Sequence, residues 1–281
     1  MSAEGGLELR HIRGPSALGG GRRRFLELLY LVSVTEFKKT YFGTVLGYVW
    51  SLMRPLMLFG VLLFVFTRIF RLGAQVPFYS ALLLFNIVLF TFFQEATTTS
   101  VGSVVNQEGV VRKTQFPRLV IPMATVVTAL FNLAVNLIAV FVFIVALGVS
   151  PTATWLLLPV ILLALFVFAS AVSLILSTLY VRFRDVGIIW GVLATALFYA
   201  TPVLYPLQVV PDTYQKFILV NPLTPIFEQA RAWIIDPTAP GALAAAGSWP
   251  RLMVPIAIYV GVCALAVWLF NREAPRIAEQ L

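Results

Sequence analysis

The chain has 281 residues and a formal net charge of +8; 60% of its residues are hydrophobic and only 11% are charged. A water-soluble domain is about half apolar and about a quarter charged, so this composition excludes a soluble globular protein and indicates an integral membrane protein. The excess of basic residues agrees with the Lys and Arg that gather at the inner membrane surface, and no nucleic-acid-binding function is needed to explain it.

The chain begins with a glycine-rich stretch, residues 1–21, that lacks the apolar core of a secretory signal. We expect a disordered cytoplasmic tail here and one membrane domain over residues 22–281. Residues 22–43 carry apolar side chains at helical spacing between charged ones, which predicts an amphipathic helix in the inner interface. The alternative is an ordinary juxtamembrane helix without a partner. The apolar positions are Phe25, Leu28, Leu29 and Val32.

Six later segments are apolar and long enough to cross a bilayer core, which takes about 20 residues of helix. Apolar residues follow one another directly, as in Leu156-Leu157-Leu158, so every face is apolar and helices are favoured over a barrel of alternating strands. The predicted fold is an all-α integral membrane bundle of six transmembrane helices. They are expected at residues 51–70, 78–100, 119–147, 155–181, 186–204 and 252–271.

The distribution of basic residues predicts the orientation of this bundle. With both termini in the cytoplasm, fourteen of the 20 Lys and Arg residues fall on the inner side and five on the outer side, while Arg54 stands at a membrane boundary. This asymmetry follows the positive-inside rule. It predicts a multi-pass protein of the plasma membrane with both termini in the cytoplasm.

The sequence gives little support to an enzyme. His11, the only histidine, lies in the tail, so a histidine-based triad or proton relay within the membrane is excluded. No lysine follows a glycine-rich phosphate-binding loop, and no cluster of metal ligands is visible. We therefore expect no ATPase site and no cofactor in this chain.

A proline-rich segment, residues 205–250, separates the fifth and sixth predicted spans and cannot form one continuous helix. Its stretches 214–220 and 226–235 remain apolar, which predicts short re-entrant helices that are buried in protein or line a cavity. Glu228 and Arg231 stand three residues apart and can pair on one helical face. An ordinary outer loop lying on the bilayer is the alternative.

Four motifs, in order along the chain, resemble the membrane subunits of type-2 ABC exporters, specifically the polysaccharide and polyol phosphate export family. That family includes O-antigen, teichoic acid and galactan transporters. None of the motifs is specific alone, but their order and spacing agree with the family from Phe25 to the end of the chain. The motifs are Tyr41…Leu46-Gly47…Trp50…Pro55, Phe116-Pro117-Arg118…Ile121-Pro122, Arg182-Phe183-Arg184-Asp185-Val186, and Thr201-Pro202-Val203-Leu204-Tyr205-Pro206 followed by Asn221-Pro222.

The resemblance implies a permease in the bacterial inner membrane that forms a homodimer, with a pore between the two copies. Two copies of a cytoplasmic ABC ATPase subunit would bind ATP and Mg and supply the energy. The substrate would be a lipid-linked cell-envelope polysaccharide. This chain would therefore be a transporter subunit without its own hydrolytic site.

The resemblance also places ATPase-coupling residues on the two inner connections between spans. The polar segment 106–115 stands where the family has a coupling helix, and the alternative is a solvated loop with basic side chains reaching to the membrane surface. For the second connection, residues 182–185, the alternative is anchoring by positive charge at the inner surface together with a local ion pair. The candidate coupling residues are Asn106, Gln107, Glu108, Arg112, Lys113, Arg182, Arg184 and Asp185.

A pore for a sugar polymer needs aromatic faces and hydrogen-bonding groups. For each aromatic residue the alternative is a packing or lipid-facing position, and for Glu95 it is a side chain that reaches the inner surface. The candidate pore residues are Tyr48, Trp50, Phe92, Phe93, Glu95, Phe198 and Tyr199, with a polar ridge of Gln94, Thr97, Thr98, Thr99 and Ser100. The candidate outer-gate residues are Pro202, Tyr205, Pro206, Asn221, Pro222, Glu228 and Arg231.

Two other functions remain open at this point. An ABC exporter of drugs or small molecules would share the same architecture. A proton-coupled secondary transporter is less favoured, because the predicted spans lack the relays of Asp, Glu and His that proton coupling uses, and no inverted repeat is visible.

The topology can be tested by cysteine labelling, since Cys263 is the single cysteine. In a Cys263→Ser background, we expect Gln107→Cys to react with a membrane-impermeant thiol reagent only from the cytoplasm. Thr238→Cys should react only from outside. The reverse labelling pattern would overturn the six-span orientation.

Overall fold

The computed structural model describes residues 21–42, 47–71, 73, 76–109 and 117–273. Within these ranges the regular structure is helical and contains no strand, which confirms an all-α membrane protein. Several predictions concern residues outside the description. They include the tail apart from Gly21, the polar segment from residue 110 onward with the coupling residues Arg112 and Lys113, and Phe116 of the second motif.

Eleven α-helices lie in the described part of the chain. They are α1 (Arg22–Phe42), α2 (Gly47–Phe64), α3 (Tyr79–Val101), α4 (Ser103–Asn106), α5 (Val120–Ala146), α6 (Leu158–Arg182), α7 (Val186–Ala200), α8 (Asp212–Leu219), α9 (Leu223–Ala230), α10 (Ala242–Ala246) and α11 (Trp249–Glu273). Helix α2 continues into a π-helical turn, Val65–Ile69, and α9 into another, Arg231–Ile235. Short 3₁₀ turns cover Ala153–Leu157 and Leu207–Val209.

Five of these elements are long and apolar enough to cross a membrane: α2 with its π turn, α3, α5, α6 with the preceding 3₁₀ turn, and α11. Helix α7 has 15 residues and is therefore only about 22 Å long. The predicted fifth span, residues 186–204, is too long at its outer end. Thr201 has an extended backbone, with φ −96° and ψ 147°, because the following Pro202 disfavours helix at that residue. A sixth complete crossing stays a prediction.

Helix α3 is the centre of the bundle and packs against α2, α5, α6 and α7. Every residue from Ala81 to Phe90 is buried, as expected for a helix that is apolar all round and surrounded by others. At its inner half, small residues let α3 and α6 approach closely, and Ser173 Oγ donates to the Ala96 carbonyl at 3.2 Å.

Helix α1 is confirmed as a helix and lies along α5. Thr128 Oγ1 donates to the Ser33 carbonyl at 3.2 Å, and the rings of Phe37 and Phe131 meet edge to face at 5.7 Å. A second apolar face remains exposed, consisting of Leu26, Tyr30 and Leu31. One face on the bundle and one apolar face outward is the arrangement expected of an interfacial helix, whose membrane placement stays a prediction.

The segment Thr201–Pro206 after α7 is irregular, and its carbonyl groups are bound by side chains of α3. Asn86 Nδ2 donates to the carbonyls of Pro202 and Val203 at 3.1 and 3.4 Å, and Tyr79 Oη donates to Leu204 at 2.7 Å. These side-chain donors take the place of the backbone N–H groups that a continuous helix would supply to the same carbonyls and that the prolines exclude. The outer segment then forms short helices, α8 and α9, as predicted; whether they re-enter the membrane stays a prediction.

The Tyr79 bond should contribute to stability, because Tyr79→Phe leaves the buried Leu204 carbonyl without its donor. We expect a loss of about 1–3 kcal/mol, seen as a lower temperature at which the detergent-solubilised protein leaves its monodisperse size-exclusion peak. Tyr205→Phe is the matched control. Its hydroxyl bonds the Tyr199 carbonyl at an exposed position, so the loss should be smaller. Equal losses of thermal stability in Tyr79→Phe and Tyr205→Phe would contradict the predicted contribution of the Tyr79 hydrogen bond.

Candidate functional site

A polar cavity of about 680 Å³ lies between α2, α3 and α5. Helix α3 lines it with one stripe of polar residues at positions i, i+3, i+4, i+7 and i+8, which all lie on one helical face. The stripe is Thr91, Gln94, Glu95, Thr98 and Thr99. The facing residues include Trp50 and Arg54 from α2 and Asn132 and Asn136 from α5.

The charged residues of this cavity lie well inside their helices. Arg54 is seven residues from the start of α2 and Glu95 is six residues from the end of α3, which places each about 10 Å along its helix. Arg54 and Glu95 line the same cavity. The predicted position of Arg54 at a membrane boundary stays a prediction.

Asn132 and Asn136 organise the acceptor side of the cavity. Asn132 Nδ2 donates a short hydrogen bond to Glu95 Oε1, and Asn136 Nδ2 donates to the Asn132 carbonyl at 2.9 Å. Asn136 Oδ1 is buried and has no partner. Buried polar groups normally have a hydrogen-bond partner, so this oxygen is an exception within the described bundle.

Among the predicted pore aromatics whose side chains the structure describes, only Trp50 lines the cavity, and its side chain is 60% exposed. Phe92 and Phe93 do not, since both are buried in the core at 2% and 0% exposure. Phe93 stacks on Phe168 with ring centroids 5.8 Å apart. The central helix α3 buries both positions against its neighbours, so their pore role is not supported. The side chain of Tyr48 lies outside the description.

Two members of the predicted polar ridge also turn away from the cavity. Thr97 and Ser100 are fully buried, and their hydroxyls donate to the carbonyls of Phe93 and Ser173. A hydroxyl side chain within a span can donate its hydrogen bond to a backbone carbonyl in this way. The missed residues are Arg54, Asn132 and Asn136. The two asparagines were visible as an i, i+4 pair in an apolar span.

The aromatic residues at the end of α7 lie near the outer segment. The ring of Phe198 packs against Phe90 at 5.2 Å, and Tyr199 is 58% exposed, with its carbonyl accepting from Tyr205 Oη at 2.8 Å. The structure therefore places Phe198 and Tyr199 apart from Glu95 and with the candidate outer gate.

The candidate outer-gate residues form one packed block. Pro202 and Pro206 are buried and Pro222 is partly buried. Asn221 Nδ2 donates to Thr201 Oγ1 at 2.8 Å, and its Oδ1 accepts from the backbone N–H of Leu223 at 3.0 Å. The asparagine thus fixes the start of α9 to the segment that follows α7.

An outer polar cluster, formed by Gln208, Glu228, Arg231 and Asp236 with the N–H of Leu207, lies beside this block. Glu228 Oε1 accepts from the Leu207 N–H at 2.7 Å, and Arg231 Nη1 donates to Gln208 Oε1 at 3.2 Å. Arg231 approaches the carboxylates of Glu228 and Asp236 at 3.9 Å each. Burial raises the pKa of Glu228, while the Leu207 N–H and Arg231 act to lower it.

The candidate coupling residues lie at the opposite end of the bundle. Asn106 ends α4, and Asn106, Gln107 and part of α1 line a groove of about 450 Å³. Glu108 follows directly and is half-buried. The second connection is exposed, with the guanidinium groups of Arg182 and Arg184 over the rings of Phe183 and Tyr180 and with Asp185 just before α7.

The profile of the ABC-2 type transporter family matches residues 27–235, which is most of the chain. The chain belongs to this family. The chain is similar to the O-antigen export system permease protein RfbA of Klebsiella pneumoniae, at 28% identity over 91% of this chain and 95% of that protein. The O-antigen export system permease protein RfbA of Myxococcus xanthus is 27% identical over 90% of this chain and 95% of that protein. The polysialic acid transport protein KpsM of Escherichia coli is 22% identical over 89% of this chain and 94% of that protein.

Membership of the ABC-2 family confirms the resemblance drawn from the four motifs. The chain is thus a multi-pass membrane subunit of an ABC transporter, and members of the family associate with an ABC ATPase. The matched region contains the polar cavity, the inner connections and the outer polar cluster except for Asp236.

The outer polar cluster should be sensitive to removal of its cation. Arg231→Met leaves two buried carboxylates without a positive partner, which costs on the order of 3–5 kcal/mol when a buried pair is broken. Adding Glu228→Gln should recover part of this loss, because the amide still accepts from Leu207 and carries no charge. Thermal stability of the single and double variants measures the coupling.

Lys216→Met is the matched control for this series, since Lys216 lies exposed on α8 in the same outer segment. It should change stability little. Purely additive losses in the double variant would show that Glu228 and Arg231 do not stabilise each other.

Proposed function

We propose that this chain is the permease subunit of an ABC exporter that moves a lipid-linked cell-envelope polysaccharide across the bacterial inner membrane. The observation that carries the proposal is the polar cavity between α2, α3 and α5 within a family member whose relatives include O-antigen export permeases. Apolar helices rarely enclose polar side chains at membrane depth without a transport role.

The cavity has the chemistry of a carbohydrate contact. It combines an exposed indole, that of Trp50, with amide and hydroxyl groups and the carboxylate of Glu95. Amides and carboxylates accept from sugar hydroxyls, and an aromatic face covers the apolar side of a sugar ring. A glycan thread therefore fits this surface better than a purely apolar drug does.

Proton coupling is a poorer explanation of the same surface. Among the described residues of the five long apolar helices, Glu95 is the only carboxylate apart from Glu273 at the end of α11. A proton relay needs a chain of titratable groups. An exporter that is driven by an ATPase partner needs no such chain of titratable groups.

The proposal includes a homodimer with the pathway between two copies. Helix α7 supports it, because an almost continuous apolar surface of this helix is exposed, with Ile188 74% and Val192 67% exposed. Only Trp190 and Ala194 of this helix are buried. A helix of 15 residues with so few contacts in its own copy is suited to packing against a second one.

Energy would come from two copies of the ABC ATPase, which would bind ATP and Mg outside this chain. The groove beside Asn106 and Gln107, the loop 182–185 and the residues Arg112 and Lys113 are the proposed contacts with that partner. Both termini of the permease would lie in the cytoplasm with these contacts.

Deletion and complementation in the bacterium that carries the gene test the proposed function. Deletion should abolish the surface glycan and leave the lipid-linked polymer inside the cell, and the wild-type chain should restore display. Glycan is measured by surface labelling and by lipid-linked polymer in the inner membrane fraction. Unchanged display in the deletion strain would overturn the proposal.

A second arm of the same experiment examines coupling to the ATPase. Arg112→Glu with Lys113→Glu should remove charge-assisted contacts worth about 1.5–3 kcal/mol each, so the ATPase should no longer co-purify and display should fail. Arg251→Glu, at an exposed outer position, is the control that keeps both. If the double variant keeps its partner and exports normally, the coupling contact lies elsewhere.

A further inference from the structure

Arg54 is a cation in the lining of the polar cavity and lies within electrostatic range of Glu95. In the part of the chain that the structure describes, it donates no hydrogen bond and makes no close ion pair, and its side chain is exposed. It stands four residues after Trp50, so both side chains share one face of α2. A charged residue at membrane depth is costly and marks a pathway for a charged or polar ligand.

The opposite wall of the cavity offers hydrogen-bond acceptors. Glu95 is held by the amide of Asn132, and Gln94, Thr98 and Thr99 add amide and hydroxyl oxygens to the same lining. The cavity therefore presents a guanidinium on one side and carboxylate and amide oxygens on the other. A matching ligand needs an anionic group next to hydroxyl donors.

A bare anion matches this arrangement poorly, because the carboxylate of Glu95 faces the same cavity and repels it. A phosphate attached to a sugar avoids this conflict, since the sugar hydroxyls donate to Glu95 while the phosphate oxygens accept from Arg54. The planar guanidinium binds two phosphate oxygens at once, which the ammonium group of a lysine does not reproduce.

We propose that Arg54 binds the phosphate of the substrate at the junction between its lipid phosphate and its first sugar. This inference rests on the proposed function and specifies which part of the substrate the cavity holds. The phosphate would lie beside Arg54, and the hydroxyls of the first sugar would contact Glu95.

Binding to the complete permease–ATPase complex in lipid nanodiscs tests this assignment. The probes are radiolabelled farnesyl diphosphate N-acetylglucosamine and the neutral farnesyl N-acetylglucosaminide. Arg54→Gln should weaken binding of the diphosphate probe on the order of 10- to 100-fold and leave the neutral probe unchanged. Arg54→Lys should retain part of the affinity. Arg68→Gln, an exposed arginine at the outer end of the same helix, is the matched control and should bind both probes normally.

Two results would overturn the assignment. One is equal binding of the diphosphate probe by wild type and Arg54→Gln, with both eluting as intact complexes. The other is displacement of the probe by an equal concentration of inorganic pyrophosphate, which would assign the site to free phosphate. Glycan display distinguishes a failure of the phosphate contact from a failure of the proposed function. Full display by Arg54→Gln refutes the phosphate contact alone, whereas failure of the wild-type chain to restore display refutes the proposed function.

Discussion

Polar groups at membrane depth must find partners within the protein or in a watery cavity, because hydrocarbon offers none. Helix α3 meets this constraint for much of the bundle. At its outer end, Tyr79 and Asn86 supply donors to the carbonyls of the segment after α7. At its inner half, Thr97 returns its hydroxyl to the backbone and Glu95 receives the amide of Asn132. A single central helix thus allows both an irregular outer segment and a polar cavity.

The same constraint explains why the outer segment is compact despite its prolines. Each proline removes a backbone donor and breaks the helical pattern, and side chains replace what is lost. Asn221 ties α9 to Thr201, and Glu228 ties α9 to the Leu207 N–H. The buried Arg231 offsets the charge of Glu228 and Asp236. A buried group of charges is retained here as a connection between chain segments, where an apolar cluster could not bind the free N–H.

The sequence predicted the class of the protein, the positions of the long helices within a few residues and the short helices of the outer segment. It also predicted that Glu228 and Arg231 share one face. It did not predict that Phe92 and Phe93 are buried, because an apolar helix gives no periodic signal that separates core from pore. It missed that Arg54, Asn132 and Asn136 line one cavity. Their shared position depends on how three helices pack together, and no local sequence pattern records such packing.

Helix α3 connects the polar cavity and the outer segment through one continuous element. Tyr79 contacts the outer segment and Glu95 lines the cavity, and these residues are separated by 16 positions, or about 24 Å of continuous helix. Helix α3 is packed on several sides by α2, α5, α6 and α7, so it cannot bend locally without disturbing the core. A displacement of α3 at the cavity would therefore reach the segment Thr201–Pro206, which α3 binds through Tyr79 and Asn86. Under the proposed function, this rigid connection would couple substrate in the cavity to the position of the outer block.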